Sequence, residues 1–240
     1  MLTPAPPANA SSTGFSLVEL LMAMAIGLIL FAWMSDYMTR VLVDHSATLQ
    51  RNHLDQAFQT TLGLMDRDLR RAGFWGAADS GLGGGPSNPF GAAPHRINTG
   101  NLAGEPANSC LTFSYDLNLN GQLDQAAPDE RFGFRLNRGV VEMRTGGSAP
   151  LDCNSGQWTA LTDASATIDA LTFNLTGVYC LNLSRAGVDC AAVTPLSGDR
   201  LLRQYRVDLL LGGRLSAQAA FQRSDALSVL VRNPVVETLP

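Results

Sequence analysis

Residues 15–34 read FSLVELLMAMAIGLILFAWM, and this stretch decides what kind of fold the chain can have. Its length matches the roughly 20 apolar residues that a bilayer-spanning helix needs. Glu19 is its only charged residue. A helix that is apolar on every side cannot lie on the surface of a soluble domain, so this segment predicts lipid or a bundle of similar helices as its surroundings. A secretory signal peptide has a shorter apolar core that ends at small residues. Ala23-Met24-Ala25 looks like such an end but lies inside the run, with hydrophobic sequence beyond it. An uncleaved signal anchor is the plainer alternative.

Upstream, residues 4–13 are polar and rich in Pro, Ala and Ser, and they stop at Gly14, directly before Phe15. The order Gly14-Phe15-Ser16-Leu17-Val18-Glu19 resembles the type IV prepilin processing site. The resemblance implies cleavage between Gly14 and Phe15 by a membrane-embedded aspartic peptidase, followed by N-methylation of Phe15. The leader departs from the family pattern in one respect: residues 1–14 carry neither Lys nor Arg, while Arg40 and Arg51 follow the apolar run. The positive-inside rule therefore gives little help in orienting this helix.

A carboxylate inside a membrane helix costs roughly 2.5–3.5 kcal/mol on insertion scales and usually has a partner. Once Phe15 is the N-terminus, its ammonium lies four residues from Glu19, and the first helical turn itself favours negative charge. The family resemblance implies a further role, in which Glu19 meets the N-terminal ammonium of a neighbouring subunit and sets the register of assembly. Capping of its own helix is the alternative.

Downstream, Met38, Val41/Leu42, His45, Leu49, Leu54, Phe58, Leu62/Met65, Leu69 and Ala72 recur at helical spacing, with polar residues between them. This pattern predicts an amphipathic continuation of the helix. Arg70 and Arg71 followed by Gly73 form a stop signal. An unbroken helix over 15–72 would be about 87 Å long at 1.5 Å per residue. The segment 64–76, LMDRDLRRAGFWG, is similar to PilW-type minor pilins. J-type pseudopilins of type II secretion share the N-terminal half of the pattern and are the nearest rival.

Residues 76–109 are rich in Gly, Pro, Asn and Ala and predict an irregular connection. Beyond them, runs at 111–115, 131–136, 140–144, 171–179, 205–211 and 227–231 have strand character, with Asn137-Arg138-Gly139 as a tight hairpin. The expected fold class is α+β, with the long helix packed on an antiparallel sheet, as in type IV pilins. The expected organisation is a leader at 1–14, a transmembrane or filament-core helix at 15–35, its amphipathic continuation at 36–73, a connection at 74–109 and a periplasmic β-rich domain at 110–240.

Asp116, Asn118, Asn120, Gln122 and Asp124 alternate around Gly121, which occupies the sixth place as in EF-hand calcium loops. Here the twelfth position is Ala127 instead of a bidentate Glu, so a full EF-hand is excluded, and Asp129 or Glu130 would have to fold back. Calcium is the one candidate ligand, and no cofactor is required. An Asn-Gly turn between strands is the alternative.

Cys110, Cys153, Cys180 and Cys190 all follow the apolar run and lack metal-site spacing, which suggests disulfides in an exported domain. Cys180 and Cys190 bracket a short polar loop, and pairing them leaves Cys110 with Cys153, although four cysteines permit three connectivities. All 17 basic residues are arginine and they are scattered at a net charge of −4, so no basic stripe for nucleic acid is evident. The three histidines, His45, His53 and His95, lack metal-site spacing, and no nucleophile elbow is present, which argues against an enzyme. The resemblance implies as partners the prepilin peptidase, other minor and major pilins, an inner-membrane assembly platform and the membrane itself. It places the protein first in a bacterial inner membrane and then in a surface pilus, with roles in fimbrial biogenesis, adhesion and twitching.

Overall fold

A computed structural model describes residues 14, 16–81, 87–147, 151–216 and 220–239. The chain separates into two compact units, Met1–Leu49 and Gln50–Pro240. One helix, α1 (Leu17–Leu69), runs through the boundary.

In the first unit α1 is exposed on every side from Leu17 to Val43 and is almost wholly apolar up to Met34. The helical periodicity predicted for Met38, Val41, Leu42 and Leu49 is present in the backbone, but these side chains are exposed, because among the described residues of this unit no strand covers them. Burial begins in the second unit at Leu54 and continues through Phe58, Thr61, Met65, Asp68 and Leu69, a spacing of three to four residues that places them on one helical face. The helix stops at Leu69, with Arg71 N–H donating to Asp68 O and Ala72 N–H to Leu69 O in a tightened last turn. Gly73 then takes φ +75, the left-handed conformation that ends helices, and its N–H reaches Ser114 O at 2.8 Å.

The second unit also contains two antiparallel sheets. The first has the order β1 (Asn98–Gly100), β2 (Cys110–Ser114), β3 (Arg131–Asn137), β4 (Val140–Gly146) and β5 (Gln157–Ala160). The β3–β4 hairpin turns at Arg138 and Gly139, both with positive φ. The second is built on β6 (Ala166–Asn182) and β8 (Arg200–Leu215), which pair along almost their whole length. β7 (Val188–Asp189) borders β6, whereas β9 (Gln222–Leu230) and β10 (Val235–Thr238) pair with successive parts of β8.

The α+β class expected from sequence is what the structure shows, with one revision: the strands divide between two sheets where a single sheet was expected. Both sheets and the buried face of α1 share one core. Phe58, Met65 and Leu69 meet Leu111, Phe113 and Phe134 of the first sheet and Leu171, Phe173, Val207, Leu209 and Val229 of the second. Each such side chain removed from water contributes about 1.5–3 kcal/mol. At the β9 edge Arg223 is paired with Asp55 of α1 and with Asp225 at 2.6 Å, and its guanidinium lies 5.7 Å from the Phe58 ring centroid. The helix is therefore held to its sheets by polar as well as apolar contacts.

Candidate assembly surface and the loop at the helix end

Three sequence features converge on the start of α1. Gly14 is exposed, with no atom within 4 Å of where a Cβ would stand. Phe15 lies outside the described residues. Ser16 supplies the first helical carbonyl, accepting from Leu20 N–H at 3.1 Å. Glu19 occupies the first turn and is exposed among Leu17, Val18, Leu20, Leu21 and Met22, which are exposed as well. The first ion pair along this helix is Asp36–Arg40, at 2.9 Å, and it lies beyond the apolar run. The segment is long and apolar enough to cross a membrane. Its chemistry is that of a rod soluble only in lipid or among other apolar rods, with one carboxylate close to its end.

The far end of α1 meets the loop between β2 and β3. Asp116 is buried and its Oδ2 accepts from Gly76 N–H and Gly121 N–H, each at 2.9 Å. Trp75 Nε1 donates to Gly121 O at 2.9 Å. Asn118 Oδ1 accepts from Asn120 N–H, and Asn120 Oδ1 from Gln122 N–H. The Nδ2 groups of Asn118 and Asn120 both donate to Asp124 Oδ2, at 2.7 and 2.9 Å. Glu130 is buried and folds back on the loop, accepting from Leu117 N–H at 2.6 Å and from Asp124 N–H at 3.0 Å. Asp129 does not turn to the loop, because its oxygens hold the buried Arg131 guanidinium at 3.0 and 2.7 Å. Sequence spacing brought out the loop residues themselves. That Trp75 and Gly76 support them depends on how the helix end meets β2, which no spacing encodes; of the two residues expected to fold back, Glu130 does so. Among the described residues no three His, Cys, Asp or Glu side chains converge as a metal cluster.

Cys110 is bonded to Cys153, and Cys180 to Cys190, with Cα–Cα distances of 6.1 and 5.5 Å. The Cys153 carbonyl accepts from Arg135, whose guanidinium also binds Glu142 at 2.7 Å and stacks 4.2 Å over the Trp158 ring. His45 and His53 are exposed on α1. His95 is half-buried in the connection; its Nδ1 is enclosed without a partner among the described residues, and burial, with Arg131 adding to it, holds its pKa below the usual value. Burial also pushes the Asp68 carboxyl upward, against the pull of Arg67 and Arg71.

Two family matches cover this architecture. Residues 9–35 match the prokaryotic N-terminal methylation motif, and residues 47–232 match the family described as prepilin peptidase-dependent protein B. Searches of curated proteins and of solved structures returned no significant match. The methylation motif spans Gly14, Phe15 and Glu19, and the second match spans the buried part of α1 and nearly all of both sheets. Pilin-like families of this kind are structural proteins processed by the prepilin peptidase.

Proposed function

This chain belongs to the prepilin peptidase-dependent protein B family, and from that premise we propose that it is a minor pilin acting in the initiation or tip complex of a type IV pilus. The observation that carries the proposal is the exposed apolar stretch of α1 with Glu19 in its first turn and Gly14 just ahead of it. Cleavage after Gly14 leaves Phe15 as the N-methylated terminus, one helical turn from Glu19. The chain first sits in the inner membrane as a single-pass protein, with its two sheets on the periplasmic side, where the disulfides Cys110–Cys153 and Cys180–Cys190 suit an oxidising compartment. Extraction by the assembly platform then moves the apolar helix from lipid into a bundle of minor and major pilin helices. There Glu19 faces the terminal ammonium of a neighbour.

Mass spectrometry of the mature protein tests the processing step: the N-terminus is methyl-Phe15, and recovery of chains that still begin at Met1 refutes it. A deletion strain tests the pilus assignment. Loss of surface pili and of twitching is expected, whereas retained pili with failed exoprotein secretion would move the protein to a type II secretion pseudopilus. Glu19→Ala leaves membrane insertion intact, being more apolar, and is expected to cut recovery in sheared fibres at least about tenfold, a difference of roughly 1.4 kcal/mol in the incorporation equilibrium. Normal incorporation removes the assembly role from Glu19.

A further inference from the structure

The loop between β2 and β3 (residues 116–130, DLNLNGQLDQAAPDE) contains a charged oxygen that the fold leaves unsatisfied. Asp116 is only 2% exposed, yet its Oδ1 is buried and receives no hydrogen bond among the described residues. Its other oxygen receives the N–H of Gly121, so the carboxylate lies against the turn of its own loop. A carboxylate oxygen can only accept, and leaving it buried without a donor is destabilising. A cation satisfies it without requiring another N–H.

We propose that this loop binds one calcium ion through Asp116 Oδ1, the carboxamide oxygens of Asn118 and Asn120, the Gln122 carbonyl and the Asp124 carboxylate. An all-oxygen set of carboxylates, carboxamides and a carbonyl suits a hard cation that accepts six to eight ligands in flexible geometry, and it does not suit zinc. Gly121 has φ +77 at the sixth loop position, where the calcium loops of EF-hands need a glycine for their sharp turn. Glu130, which is 0% exposed, takes the N–H groups of Leu117 and Asp124 and so fixes both ends of the ligand run. In the structure as it stands, Asp124 is held by the amide N–H donors of Asn118 and Asn120. Calcium replaces those donors: the Asn118 and Asn120 oxygens, which accept from Asn120 and Gln122 N–H, meet the ion through their second lone pairs, and Asp124 exchanges two hydrogen bonds for it. Two direct carboxylates and no bidentate Glu place the affinity in the weak range of extracellular modules, with a Kd on the order of 10⁻⁴–10⁻³ M.

The site adjoins Trp75, whose indole donates to Gly121 O, and this supplies a local probe. The full-length protein in detergent micelles, stripped with chelator, is titrated with Ca²⁺ by calorimetry and with Tb³⁺ by luminescence sensitised through Trp75. The expected result is saturable binding of one ion, Tb³⁺ emission displaced by Ca²⁺, and Mg²⁺ at least about tenfold weaker. Asp124→Ala, and separately Asn118→Ala with Asn120→Ala, are expected to weaken Ca²⁺ by at least about tenfold. Asn118 and Asn120 are exposed, so their double variant keeps the fold and decides the matter if Asp124→Ala does not. Trp75→Phe is expected to remove the Tb³⁺ emission. Absence of binding at about 10 mM, well above the expected range, overturns the proposal. So does binding that the variants leave unchanged.

Discussion

The two disulfides close loops of very different length, and this gives a prediction with a worked magnitude. Cys110 and Cys153 are 43 residues apart, and Cys180 and Cys190 only 10. In the chain-entropy account, a cross-link removes denatured-state freedom in proportion to the logarithm of loop length, which gives about 4 kcal/mol for the longer loop and about 2.7 for the shorter. Local packing widens the gap. Cys110 is 0% exposed, at the start of β2, so replacing it also loses core contacts, whereas Cys180 and Cys190 are only half-buried. The longer bridge also ties β2 to the segment ahead of the edge strand β5, where the Cys153 carbonyl accepts from Arg135.

The perturbation is a pair of double variants, Cys110→Ala with Cys153→Ala and Cys180→Ala with Cys190→Ala. Each is compared with wild type by urea unfolding of the micelle-bound protein, followed by near-UV circular dichroism. With a urea m-value of about 2 kcal/mol/M, the first variant is expected to lower the midpoint by about 2 M and the second by little more than 1 M. The reasoning fails if the Cys180/Cys190 variant loses as much stability as the other. It also fails if the Cys110/Cys153 variant loses less than about 1.5 kcal/mol, since loop entropy alone predicts more.

Two other predictions concern the core and its pH response. Phe58 is fully buried between α1 and both sheets, so Phe58→Ala is expected to cost about 3–5 kcal/mol and Phe58→Leu clearly less, measured by the same urea assay; equal losses would mean that the site collapses around any truncation. His95 has a folded pKa below its ordinary 6.5, chiefly through burial and further through Arg131. The unfolded chain therefore binds more protons in that window, so the contribution of His95 is complete above 6.5 and lost as pH falls from 6.5 through the folded value. Melting temperatures between about pH 5 and pH 8 are expected to fall on the acid side, and His95→Gln is expected to flatten that fall; an unchanged profile removes His95 as its cause.

The start of the molecule was legible because its signal is local. An apolar run of membrane length, a glycine before it and one acid inside it are all adjacent in sequence, as are Arg70, Arg71 and Gly73 at the stop of the helix. Strand pairing is long-range, and there the reading was less complete. β6 and β8 were recognised only in their apolar middles, because their ends carry residues such as Thr167, Asp169, Arg200 and Gly213 that look like loop until the partner strand is present. The short strands β1, β5, β7 and β10 have too few residues for alternation to register at all. In the loop between β2 and β3, the alternating oxygens were visible in the spacing. The buried Asp116 oxygen and the support from Trp75 and Gly76 were not, because they arise where the helix end meets β2.

The composition of α1 bears on what can drive its transfer from membrane to fibre. Leu21, Ile26, Leu28 and their neighbours are exposed on every side, and lipid tails are as apolar as other helices. Moving these side chains from lipid into a helix bundle therefore yields no hydrophobic gain, only packing. Glu19 differs, because in lipid its charge is costly, and beside a neighbour's ammonium the cost is offset. The carboxylate is the group in this stretch whose energy changes most between the two environments, so under the proposed function it biases the equilibrium toward assembly and the apolar residues define where the helix can reside. A conservative variant separates the two roles. Glu19→Gln keeps the shape and a hydrogen-bonding oxygen but loses the charge, so it should insert as well as wild type and assemble as poorly as Glu19→Ala if charge pairing is the bias. Assembly at the wild-type level would mean that packing alone is enough.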